Sequence, residues 1–149
     1  MGFTSGFGTG FAALILALAA SPAAATGAQI EVDISGVRNA RGAILVCLTA
    51  DPKAYPDCGR DPKSRKLSIP ARPSDTARFD NVPPGTYAIA LIHDENSNTK
   101  MDLAVFLPKE GFGMSRNPKI GFGPPKFKSA QFSVGADPVR LPITMRYMF

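Results

Sequence analysis

Apolar residues in this chain recur at every second position and never at the spacing of a helix face, and that period limits the chain to strands. Ile30, Val32 and Ile34 alternate with Gln29, Glu31, Asp33 and Ser35, so a half-buried strand is expected at about 29–36. Ala43 to Leu48 is a continuous apolar run, short enough for a buried strand, and the turn residues Val37 to Gly42 before it predict a hairpin. Three more strands are expected at Lys66–Pro70, Thr76–Asp80 and Thr86–His93, with Pro83-Pro84-Gly85 as a tight turn between the last two. Near the end, Ala130, Phe132 and Val134 alternate with polar residues, as do Val139, Leu141, Ile143, Met145 and Tyr147. These predict a closing hairpin around 135–138, with Pro142 forcing the last strand to an edge or a bulge. Fourteen glycines and 14 prolines spread through the chain argue against long helices. About seven short strands predict an all-β fold, an antiparallel β-sandwich.

The first residues read differently. Phe11 to Ala20 is small and apolar, and Ser21-Pro22-Ala23-Ala24-Ala25 offers an Ala-x-Ala cleavage site, so residues 1–25 are expected to be a signal peptide and 26–149 a single β domain. The apolar run is short for a membrane span, which needs about 20 residues, although an uncleaved anchor is the alternative. No Lys or Arg precedes Phe11, so the terminal amine alone supplies the positive charge usual at the start of a signal peptide; no Cys stands at the expected mature start, so a lipoprotein is not indicated. The expected location is periplasmic or secreted. Cys47 and Cys58 would meet oxidising surroundings there, and a disulfide between them would pin the segment 51–57 to a strand end.

The stretch richest in chemistry runs from His93 to Asp102. Counted from Asp94, oxygen-bearing side chains fall at positions one, three, five and nine, namely Asp94, Asn96, Asn98 and Asp102, with the Lys100 carbonyl at seven. Hard oxygen ligands crowded on a short turned loop are what calcium requires. Thr99 replaces the glycine of an EF-hand at position six and Val105 the bidentate glutamate at twelve, so a complete EF-hand is excluded. Only Asp94 and Asp102 bring charge unless Glu110 folds back, and weak calcium binding is expected, at roughly 10⁻⁴ to 10⁻³ M. The alternative is a loop whose Asp and Asn side chains satisfy their own backbone. His93, the single histidine, would orient Asp94, ligate a softer metal, or pack.

The net charge is +5, with 17 Lys and Arg against 12 Asp and Glu, a modest bias toward anionic partners. Basic residues gather at 60–72 and at 109–128. In the second segment Lys109, Arg116, Lys119, Lys126 and Lys128 interleave with Phe112, Phe122 and Phe127. A long connection of this kind suits a binding loop for an anionic glycan, a lipid headgroup or an envelope protein; nucleic acid is disfavoured. The competing reading has the phenylalanines plugging the end of the sandwich. Ser115 lacks a nucleophile elbow, and His93 is the one imidazole available to activate it, which argues against hydrolysis.

Phe79 to Tyr87, carrying Pro-Pro-Gly-Thr-Tyr, resembles the strand-turn-strand of carboxypeptidase-regulatory-like and transthyretin-like modules. That turn, with Gly42 to Leu48, the His93–Asp102 loop and Pro108 to Ser115, is similar to a family of small exported bacterial proteins of unknown function. The resemblance implies an immunoglobulin-like sandwich and an exported location, and no established activity. It also implies a glycine near Thr99, which this chain lacks.

The leading expectation is therefore a non-enzymatic binding or accessory module of the cell envelope, ordered by calcium at Asp94–Asp102, with His93, Lys109, Glu110, Phe112, Ser115 and Arg116 near its ligand. The alternatives are a metal-dependent enzyme using His93, Asp94 and Glu110, a structural envelope protein pairing through the edge at Leu141–Tyr147, and a small outer-membrane barrel ending in Tyr147-Met148-Phe149.

Overall fold

A computed structural model describes residues 2–3, 27–123 and 125–149; the expected signal segment, apart from Gly2 and Phe3, lies outside the described residues. The strands are β1 (Ala28–Ser35), β2 (Ala43–Thr49), β3 (Arg65–Pro70), β4 (Asp75–Val82), β5 (Gly85–Asp94), β6 (Leu103–Ala104), β7 (Leu107–Pro108), β8 (Gly111–Met114), β9 (Phe132–Val134) and β10 (Val139–Thr144), with one helical turn, α1 (Phe127–Ala130), before β9. The fold is all-β, and the seven expected strands are β1 to β5, β9 and β10.

One sheet runs β10-β1-β4, and another runs β3-β2-β5-β8 with β9 beside the start of β5. Alternation in β1 puts Ala28, Ile30, Val32 and Ile34 inside. They meet Ile44, Val46 and Leu48 of β2 and Ile89 and Leu91 of β5 in one buried cluster that takes side chains from both sheets. Three expectations need correction. β1 and β2 do not form a hairpin, because the chain crosses from one sheet to the other between them, and β9 and β10 likewise part to pair with β5 and β1. β1 and β10 run parallel, so the pairing is not wholly antiparallel. The reason is the same in each case: a turn-rich link between two alternating strands serves a crossing between facing sheets as well as it serves a hairpin, and the alternation cannot distinguish them.

β10 is an edge strand, as Pro142 requires, but the Leu141–Tyr147 edge is not open along its length. Asn117 donates from its amide to the Pro142 carbonyl and accepts the Thr144 amide, while Arg146 and Phe112 exchange backbone hydrogen bonds. Covering an edge in this way blunts pairing with another chain. The outer-membrane barrel does not fit either, since the sheets are open and the space between them is filled with aliphatic side chains.

β5 crosses into its sheet at the Pro83-Pro84 turn, where the Tyr87 hydroxyl donates to the Pro83 carbonyl at 2.9 Å and ties the corner. Its outward residues Ala88 and Ala90 join Phe112 and Met114 of β8, Tyr55, and Phe127 and Ala130 of α1 in a second cluster. Tyr55 meets Phe127 edge-on, with ring centres 5.9 Å apart. Burial pushes the Tyr55 phenol up from its ordinary range. Phe112 and Phe127 thus plug the outer face of the sheet, while Phe122 does not.

Tyr55 is held there by the chain around Cys58, which is bonded to Cys47 with the Cα atoms 6.4 Å apart. Replacing both cysteines by serine should lower unfolding stability by about 2–3 kcal/mol, the loop-closure entropy of so short a bridge. Urea denaturation of the oxidised protein and the double variant checks this.

Candidate functional site

β5 ends at His93 and Asp94, and both are buried although they open a polar loop. Their surroundings explain why. Gly42, at φ +65°, lies so close to the Asp94 carbonyl that any Cβ there would collide with it. The neighbouring Arg41 carbonyl can only accept, so the His93 Nε2 it faces at 2.8 Å carries the proton. His93 Nδ1 then accepts from the Tyr147 hydroxyl at 2.8 Å, and that hydroxyl accepts the Arg38 amide. Glu95 bridges Arg38 at 2.5 Å and Arg41 at 2.8 Å, and the Arg38 hydrogen bond holds its carboxyl below the usual carboxylate range. The Arg38 guanidinium also lies over the Tyr147 ring, 4.5 Å from its centre. The root of the loop is thus clamped by the 38–42 segment and the C-terminal Tyr147.

Asp94 organises the turn beyond the strand end. Its two carboxylate oxygens accept the Asn98 and Thr99 amides at 3.0 and 2.8 Å, which closes the loop back on β5. Thr99 takes φ +63°, the left-handed conformation that a glycine would adopt freely. The sharp turn therefore forms without the glycine, with a β-branched residue bearing the steric cost. Asn98 Oδ1 accepts the Lys100 amide, and the side-chain NH₂ groups of Asn96 and Asn98 both donate to the Asp102 carboxylate, at 2.6 and 3.0 Å.

The Lys109 amide donates to the Asp102 carbonyl, closing the small β6–β7 hairpin and folding the chain back so that Glu110 lies against the loop. Glu110 is 5% exposed. Its Oε2 accepts the Asp102 amide at 3.2 Å, whereas Oε1 is buried with no partner. Burial raises its pKa, and the charges of Asp102 and Asp94 add to the shift; the Asp102 and Glu95 amides temper it, the latter outside hydrogen-bonding geometry. Glu110 thus feels the charges of both Asp94 and Asp102 at the loop. Among the described residues no three His, Cys, Asp or Glu side chains stand close enough to grip a metal ion without rearrangement.

The remaining expected residues separate. Ser115 is fully buried, its hydroxyl donating to the Ala130 carbonyl at 2.6 Å and accepting the Ile89 amide. Phe112 belongs to the second cluster, while Lys109 and Arg116 are exposed. His93 turns both nitrogens away from Asp94 and Glu110, so the three do not converge as the enzymatic alternative requires. Sequence reasoning did not single out Arg38, Arg41, Glu95 or Tyr147; they come from three distant segments, and no local pattern marks their meeting.

Residues 32–141 match the family model described as an uncharacterized protein conserved in bacteria, DUF2141. The chain belongs to this family. The match runs from within β1 into β10, so the Asp94–Asp102 loop, Glu110 and the 38–42 clamp all lie inside the DUF2141 region. No curated protein and no solved structure matches the chain.

Two substitutions test the local account. Thr99→Gly should stabilise the protein by about 1 kcal/mol, because it removes the left-handed penalty of a side-chain-bearing residue. Gly42→Ala should destabilise it by at least about 3 kcal/mol through that penalty and the collision with Asp94 together. Urea denaturation of each variant reads both values.

Proposed function

We propose that this DUF2141 protein is an exported, non-enzymatic binding module of the cell envelope, an immunoglobulin-like or transthyretin-like sandwich whose Asp94–Asp102 loop is ordered by calcium. The observation that carries the calcium reading is the buried Glu110 carboxylate, with Oε1 unpartnered beside Asp94 and Asp102. A buried carboxylate oxygen lacking a partner is costly, and a divalent cation is the simplest group that would compensate all three charges at once. Glu110 then supplies the charge that Val105 fails to supply at position twelve. The NH₂ groups of Asn96 and Asn98 now face Asp102, where the cation would sit; turning each amide over would present two oxygens instead.

Other features support the rest of the reading. The Cys47–Cys58 bond suits an oxidising compartment. The Tyr87–Pro83 tie matches the tyrosine corner found in immunoglobulin-type sandwiches, and two sheets share one core. His93 and Ser115, the imidazole and hydroxyl considered for catalysis, spend their polar atoms on internal hydrogen bonds.

Titration calorimetry and thermal unfolding with calcium check the metal. Wild type should bind at roughly 10⁻⁴ to 10⁻³ M and melt higher in millimolar calcium. Glu110→Gln should abolish that gain, yet be more stable than wild type without calcium by about 1 kcal/mol, since the buried orphan charge is gone. No heat and no calcium-dependent shift in the wild type would refute the calcium reading.

A further inference from the structure

We propose that the β6–β7 hairpin and the loop carrying Phe122 form a membrane-docking face whose apolar tips enter an anionic lipid surface. The tips are unusually bare. Val105 is 85% exposed, Phe106 87% and Leu103 56%, and Phe122 protrudes fully between two glycines. Large apolar side chains exposed together at a hairpin tip mark an interaction site. Both tips spring from one place, because Met101 at the foot of the hairpin and Ile120 at the foot of the loop pack against the same outer cluster of the β3-β2-β5-β8 sheet. They therefore leave the same side of the molecule.

The charge around these tips identifies the partner. Lys100 and Lys109 flank the hairpin, and Lys119, Lys126 and Lys128 flank Phe122. No acidic residue occurs between Glu110 and Asp137. Of the two acids at the foot of the hairpin, Glu110 is buried, and Asp102 is hydrogen-bonded within its own loop by the Asn96 and Asn98 side chains. Protruding aliphatic and aromatic side chains within a girdle of flexible lysines suit a bilayer interface, where the tips sit among acyl chains and the ammonium groups reach anionic headgroups. A glycan would instead be gripped in a groove, whereas these tips protrude, and Leu103, Val105 and Leu107 beside Phe106 are aliphatic. This proposal is independent of calcium, and its test is run in EDTA so that the two readings fail separately.

The chain contains no tryptophan, so Phe106→Trp in the full chain places a single indole at the tip. With vesicles of phosphatidylcholine and phosphatidylglycerol its emission should shift to the blue and become shielded from acrylamide, and phosphatidylcholine alone should leave it unchanged. Ser74→Trp, in the turn leading into β4 of the other sheet, should stay exposed with both kinds of vesicle. Lys100→Gln with Lys109→Gln, made in the Phe106→Trp chain, should weaken partitioning by roughly 25-fold, about fivefold per lysine. The proposal is overturned if the indole at 106 is unaffected by anionic vesicles, or if the indoles at 106 and 74 respond alike. It is equally overturned if soluble dextran sulfate binds as tightly as the vesicles while the indole at 106 remains open to quencher, since the partner would then be an anionic glycan.

Discussion

Burial of β5 on both faces is the constraint on which the rest of the molecule depends. Ile89 and Leu91 face the core shared by the two sheets, while Ala88 and Ala90 face the cluster under Tyr55 and α1. A strand enclosed on both sides has to be paired on both edges as well, because an unpaired buried amide or carbonyl is costly. β2 pairs along one edge, and β8 with β9 shares the other. At its start Tyr87 ties the crossing turn, and at its end His93 is locked between Arg41 and Tyr147. β5 therefore delivers Asp94 to a fixed position, and the polar loop is built outward from that carboxylate.

The loop built on this support is unevenly satisfied. Asp94 and the two asparagines meet their obligations within the loop, and Glu95 is neutralised by two arginines. Glu110 is the exception, with one oxygen on the Asp102 amide and the other on nothing. Buried acceptors without a partner are uncommon in folded domains. The β6–β7 hairpin that carries Glu110 home also lifts Val105 and Phe106 into solvent, so one short hairpin positions both the buried carboxylate and the apolar tip.

Much of the fold was legible because half-buried strands write their period into the sequence: β1 and β10 could be read residue by residue. Sheet membership was not legible, since the links after β1 and after β9 have hairpin chemistry and yet cross between sheets. β8 escaped notice because Gly111 and Gly113 occupy one of its faces. They do so because Tyr147 and Ile143 press against that face too closely for a Cβ. The oxygen spacing from Asp94 to Asp102 was visible, and the local turns it implied are present. The clamp of Arg38, Arg41, Glu95 and Tyr147 was invisible, because its members meet only through the tertiary fold. Thr99 runs the other way: it stands where an EF-hand has glycine, yet the two hydrogen bonds that Asp94 accepts hold the sharp turn regardless.

The central proposal is that the Asp94–Asp102 loop and Glu110 bind calcium together, and a crystal structure grown in millimolar calcium tests it most directly. The account predicts one density peak at about 2.3–2.6 Å from oxygens of Asp94, Asp102 and Glu110, with the Asn96 and Asn98 amides turned to present oxygen. A loop in which both asparagines still donate to Asp102, Glu110 Oε1 remains alone and no ion is bound would contradict it.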